Sequence, residues 1–101
     1  MDSQDTSSSS PLAEKARAGD RAAFKALLVA SEKSVKAYIR SLQRYFPRTN
    51  ADDAFQEAVS RALEAVGRFE GDDADFGRWL SGIARNVVLT QSKRTGWSRR
   101  I

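Results

Sequence analysis

The chain has 101 residues, 41% apolar and 30% charged, with a formal net charge of +4, and it contains neither cysteine nor histidine. That length supports one domain with a single modest core, and the missing residue types exclude disulfides, thiolate metal sites and imidazole ligands or bases. No apolar run approaches the roughly 18 residues that would cross a bilayer, and the first ten residues, MDSQDTSSSS, lack the basic start and apolar stretch of a signal peptide. The expectation is a cytoplasmic protein without membrane insertion.

Residues 1–10 are polar and Ser-rich and read as a disordered lead-in. Ser10-Pro11 then reads as an N-cap followed by a proline at the first helical position, opening a short helix over 11–18 that stops at Gly19. Asp20 caps a long second helix. In it Phe24, Leu28, Ser31, Val35, Tyr38, Leu42 and Tyr45 recur at spacings of four and three, and Leu27, Ile39 and Phe46 widen the stripe. This is the amphipathic period, and it is predicted to run up to Pro47, which forces the preceding residue out of helical geometry.

Asn50 is the predicted N-cap of a third helix over about 51–69. Phe55, Ala58, Val59, Ala62, Val66 and Phe69 gather on one side, and Asp52, Asp53, Gln56, Glu57, Ser60 and Glu64 on another. Glu70 to Asp75 is a turn-rich acidic loop, with Asp75 or Asp73 as the cap of a fourth helix over about 76–94. That helix buries Phe76, Trp79, Leu80, Ile83, Ala84 and Val87. It turns Arg78, Ser81, Gly82, Arg85, Ser92 and Lys93 the other way, with Asn86 at the border and Leu89 on the polar side. The tail from Thr95 has no periodicity. The fold class is all-α, a compact bundle of about four helices, with residues 11–94 as the domain and 95–101 as the start of a linker.

Charge is laid out in blocks. Residues 11–48 carry nine basic and three acidic side chains, residues 49–75 two basic and eight acidic, and residues 76–101 six basic and none acidic. Basic segments attract phosphate, and the acidic block between them would repel it, so it suits a different, basic partner. The bland alternative for both faces is a solvated surface. On the basic face, Arg78, Arg85, Lys93 and Arg94 suit a phosphate backbone, while Asn86 offers a donor and an acceptor for a base edge. Trp79 reads as a core residue or as a nucleic-acid contact. Gly82 permits close approach by another backbone or by DNA, or relieves crowding near Trp79. No Gly-rich phosphate loop, nucleophile with a histidine partner, or histidine metal motif is present. Acid pairs such as Asp52/Asp53 and Asp72/Asp73 lie in polar, turn-forming surroundings that would not tune a carboxylate. Neither an enzyme nor a cofactor is expected.

The segments LAEKARAGDRAAFKALL, NADDAFQEAVSRAL and RFEGDDADFGRWLSGIARNVV together resemble region 2 of the sigma-70 family, specifically its extracytoplasmic-function (ECF) group, over about residues 12–94. The specific combination is Asp53-x-x-Gln56-Glu57 followed by Phe76-x-x-Trp79-Leu80-x-x-Ile83-Ala84-Arg85-Asn86. The resemblance implies a bacterial transcription initiation factor. Its acidic helix, with Asp53, Gln56 and Glu57 and with Arg61 nearby, would bind the clamp helices of the RNA polymerase β′ subunit. Residues 70–77, including Asp72, Asp73 and Phe76, would form the loop that pockets a flipped base of the promoter −10 element. Arg78, Arg85, Asn86, Lys93 and Arg94 would face DNA, and Lys33, Lys36, Arg40 and Arg44 would lie near the non-template strand. An anti-sigma factor is a further implied partner. The chain departs from the family at Val59 and Leu63, where Phe and Trp are common, and at Thr90, where Asp is frequent. Its loop is also more acidic than usual. The family's region 4 is absent from the sequence, and the basic end at Ile101 reads as a cut in the interdomain linker. A rival reading is a sigma-like decoy that binds a regulatory protein and never touches DNA.

Overall fold

The computed structural model describes the backbone of residues 11–100 and the side chains of residues 12–93. The predicted lead-in over residues 1–10, the side chain of Ser10 and that of Arg94 lie outside the described residues. Within them the elements are α1 (Pro11–Arg17), α2 (Arg21–Leu42), α3 (Ala51–Ala65), a 3₁₀ turn (Val66–Arg68) and α4 (Asp73–Arg100), with no strand.

Local chemistry places most of the boundaries. Gly19 at φ 105 ends α1; its N–H donates to the Ala16 carbonyl at 3.0 Å while the Asp20 N–H donates to Lys15 at 2.9 Å. That pair of bonds closes a helix on a left-handed residue, which favours glycine. Asp20 then caps α2 by accepting from the Ala23 N–H at 3.0 Å, and Asn50 caps α3 by accepting from Asp53 at 3.0 Å.

Three ends differ from the prediction. Helix α2 stops at Leu42, a turn before Phe46. Pro47 cannot donate a helical N–H, and the chain ahead of it tightens, with the Tyr45 N–H on the Leu42 carbonyl at 2.9 Å. The Gln43 side-chain amide donates to the Thr49 carbonyl at 2.6 Å, which holds the turn back on itself. Tyr45, counted in the apolar stripe, is therefore 74% exposed. Helix α3 gives way to the 3₁₀ turn at Val66 rather than running to Phe69. Helix α4 begins at Asp73 and continues to Arg100, past the predicted end at 94.

The core lies where α2, α3 and α4 meet, with α1 laid across α2 and the 3₁₀ turn. Buried residues recur at helical spacing: Phe24, Leu27, Val35 and Ile39 on α2, Ala54, Ala58 and Ala62 on α3, and Phe76, Leu80, Ala84, Val87 and Val88 on α4. The alanines on α3 let its neighbours approach closely. At Gly77 an added Cβ would lie 3.4 Å from Ser31 Cβ, marking the tight crossing of α2 and α4. An aromatic cluster fills the centre. Phe76 meets Phe24 and Phe69 edge-on, with centroids 5.8 and 5.9 Å away, and Trp79 tilts against Phe69 at 4.8 Å and Phe76 at 5.6 Å. Trp79 is thus half-buried, packed against the core. At Gly82 a Cβ would meet nothing within 4 Å, so no crowding near Trp79 explains this glycine.

Candidate functional site

The acidic face of α3 stands open. Asp52, Asp53, Gln56, Ser60, Arg61 and Glu64 are exposed, and Glu57 is half-buried. Glu57 Oε2 and Arg61 Nη2 pair at 2.7 Å, one helical turn apart. Such a pair holds both side chains in a fixed relation but adds little stability at an exposed site. Asp53, Gln56, Glu57 and Arg61 therefore share one face, as expected.

The basic face of α4 is a second open surface. Arg78, Arg85, Asn86 and Lys93 are exposed, with the exposed Gly82 among them and Leu89 half-buried. Spacings of three, four, seven and eight residues align them along one side of the helix. The two faces do not neutralise each other: among the described residues the ion pairs are Glu57–Arg61 within α3 and Glu32–Lys36 within α2.

Lys33 and Arg40 on α2 are exposed as expected, and so is Arg44 in the turn that follows. Lys36 is half-buried at the junction of α2 and α3, its Nζ 2.7 Å from Glu32 Oε2 and 5.0 Å from the centre of the Phe55 ring.

The loop between the 3₁₀ turn and α4 corrects three expectations. Phe76 is 1% exposed, at the centre of the aromatic cluster, and cannot meet a base. Asp72, rather than Asp73 or Asp75, caps α4, accepting from the Ala74 N–H at 3.0 Å and the Asp75 N–H at 3.3 Å. Asp75 returns the favour by accepting from the Asp72 N–H at 3.1 Å, which completes a capping box. Asp73 reaches across the fold and accepts from the Ala13 N–H at 2.7 Å, capping α1 in trans. These three carboxylates hold helix ends together. The remaining one, Glu70, is exposed.

Sequence reasoning missed Arg17. From the last turn of α1 its Nη1 donates to the carbonyls of Phe69 at 3.2 Å and Gly71 at 2.9 Å, the two residues flanking Glu70. Its guanidinium also lies 6.0 Å from the Phe69 ring centre. Gly71 is fixed as well: a Cβ there would fall 2.9 Å from Asp75 Cβ and 3.0 Å from Phe69 Cζ. Arg17, Gly67, Arg68, Phe69, Glu70 and Gly71 line an open surface depression of about 370 Å³. Neither periodicity nor local motif could reveal Arg17, whose partners lie 52 and 54 residues away.

A helical domain with an acidic third helix, a pinned acidic loop and a basic fourth helix has the build of a sigma-factor region 2, and the profile described as Sigma-70 region 2 matches residues 28–98. The chain belongs to that family. It is similar to factors of that family's ECF group. It is 38% identical over 82 residues to the ECF RNA polymerase sigma factor BldN of Streptomyces coelicolor, covering 81% of this chain and 30% of that protein. It is 34% identical over 87 residues to the ECF RNA polymerase sigma-E factor of Escherichia coli and 33% identical to that of Salmonella typhimurium, each time covering 82% of this chain and 44% of the relative. The chain thus spans less than half the length of these relatives. No solved structure matches it. No helix among the described residues is long and apolar enough to cross a membrane.

Proposed function

We propose that this chain is the promoter-opening domain of an ECF sigma factor: it docks on core RNA polymerase through α3 and holds the unpaired non-template strand of the −10 element along α4 and the adjoining loop. The observation that carries the reading is the pair of exposed, oppositely charged faces on separate helices, each left without a counter-charge from the other. Asp53, Gln56 and Glu57, with Arg61 braced on Glu57, suit the β′ clamp helices. Arg78, Arg85 and Lys93 suit phosphates, and Asn86 suits a base edge. Arg40 on α2 and Arg44 in the turn after it extend the basic surface.

In this reading the loop takes an extruded base beside Glu70. With Asp72, Asp73 and Asp75 engaged as caps, Glu70 is the carboxylate left to accept from an exocyclic amine such as cytosine N4. Extruding a base costs a few kcal/mol. A loop already locked by Arg17 and Gly71 has little ordering left to undergo, so more of the contact energy goes to holding the strand.

The test measures two bindings with one protein. Core polymerase is captured on the immobilised chain, and the complex is then titrated with a labelled non-template −10 strand and with the same strand substituted base by base. Both partners are expected to bind, with discrimination at the extruded position. A chain that takes polymerase and ignores every strand would be the decoy; one that binds duplex without polymerase would be a generic DNA-binding module. The exposed row on α4 supports strand binding over the decoy.

A further inference from the structure

The turn between α2 and α3 is built to hold an aromatic ring outward. Phe46 folds inward against the core while its neighbour Tyr45 is 74% exposed. Two side chains lock that split. Gln43 Nε2 donates to the Thr49 carbonyl at 2.6 Å, and the Thr49 hydroxyl donates to the Phe46 carbonyl at 2.8 Å. The Thr49 N–H reaches the same carbonyl at 3.1 Å, and Thr49 itself is buried. Tyr45 is therefore presented by a hydrogen-bonded turn, and no other ring among the described residues packs on it.

Basic residues flank the ring along the chain. Arg44 precedes it, Arg48 follows three residues later, and Arg40 stands one helical turn before Arg44. All three are exposed, and none forms an ion pair among the described residues. An exposed aromatic face among unpaired arginines matches unstacked nucleic acid, in which every base offers a π-face and every linkage a negative charge.

We propose that Tyr45, with Arg44 and Arg48, is a stacking platform for an unpaired base of single-stranded DNA, separate from α4 and its loop. The inference rests on the strand-binding reading above and adds a second point of capture to it. Stacking on an aromatic is tolerant of base identity, so this platform contributes grip rather than sequence choice.

A double-mutant cycle tests it, with the chain alone at low salt and with the chain on core polymerase. The probe is a short, labelled, pyrimidine-rich DNA strand, intact or carrying abasic positions. Tyr45→Ala is expected to weaken binding of the intact strand by about 5- to 150-fold, while Tyr45→Phe keeps the ring and the affinity. Arg48→Ala is expected to reduce the salt slope by about 0.7. On the fully abasic strand Tyr45→Ala changes nothing further, because the base it would lose is already gone. The exposed position leaves the melting temperature unchanged, which separates lost stacking from lost folding. Equal affinity of Tyr45→Ala and the parent for the intact strand overturns the platform, as does an equal loss on the abasic strand. If Arg85→Ala with Lys93→Ala abolishes strand binding while Tyr45→Ala leaves it intact, only the platform falls. If the parent chain takes no strand in either setting, the platform and the strand-binding reading fall together.

Discussion

Arg17→Ala is the perturbation that most directly tests how the loop is held. Helix α1 has seven residues, too few to persist alone in water. It is kept in place by Leu12, Ala13 and Ala16 against the core, by Asp73 at its start and by Arg17 at its end. Hydrogen bonds from a charged donor contribute about 1.5–3 kcal/mol each when well buried. Arg17 is half-buried, and water can replace part of what is lost, so about 1 kcal/mol per bond, or about 2 kcal/mol for the pair, is the expected loss. For a domain of this size that lowers the melting temperature by roughly 8–16 °C. Both bonds leave one nitrogen, so Arg17→Lys, with three donors on its ammonium, is expected to recover much of the loss, and neutral, shorter Gln less. Urea unfolding followed by helical circular dichroism gives the order, and amide exchange at Asp72, Ala74 and Asp75 reports the loop itself. An alanine variant with the parent's unfolding midpoint and unchanged exchange at those amides would refute the pinning.

Asp53→Lys with Glu57→Lys is expected to weaken capture of core polymerase while leaving the helical signal intact, since both positions lie on the outer face of α3; unchanged capture excludes that face. Arg85→Ala with Lys93→Ala should lower the salt slope of single-strand binding by about 1.4, for two phosphate contacts, and a parallel slope rules both out as contacts. Phe76→Ala is expected to cost about 3–5 kcal/mol in urea unfolding, because the ring is buried among Phe24, Phe69 and Trp79; a loss of strand binding with full stability would return Phe76 to the surface role. Glu70→Gln supplies a donor beside its acceptor, so discrimination for amine-bearing bases should drop roughly fivefold, about 1 kcal/mol, and an unaltered base preference would remove Glu70 from the reading.

The helices themselves were legible because their signals are local. Asp20 and Asn50 cap where a short polar acceptor precedes an apolar period, and the stripes of α2, α3 and α4 follow from spacing alone. The ends were less legible. In Asp72-Asp73-Ala74-Asp75 any carboxylate satisfies the cap pattern, and the choice depends on where Arg17 and Ala13 hold the entering chain. The close of α2 depends on Gln43 finding Thr49 across the turn, which no period encodes. Among the candidate site residues, exposed members such as Arg85 and Asn86 fell where the helical wheel put them. Phe76 also fell on the buried side its period gave, and the base contact that the resemblance implied for it was lost to core neighbours such as Phe24, while the place of Lys36 beside Phe55 is a tertiary contact that no spacing encodes.

The acidity of the loop is the feature that sits least easily beside strand capture, since four carboxylates would repel a phosphate chain. Their placement reduces the conflict. Asp72 and Asp75 lie on the first turn of α4, and Asp73 accepts from the first turn of α1. Anions at helix N-termini are answered by the unpaired amides and the positive end of the helix dipole, an effect confined to that turn. Arg17 adds a full positive charge against the same backbone. Three of the four negative charges are thus partly balanced by the groups they hold in place, and the loop presents outward chiefly Glu70. A repulsive surface becomes a rigid mount with one acceptor on it, while phosphates are left to the arginines and lysine of α4, a helix whose exposed face from Arg78 to Lys93 carries no acid.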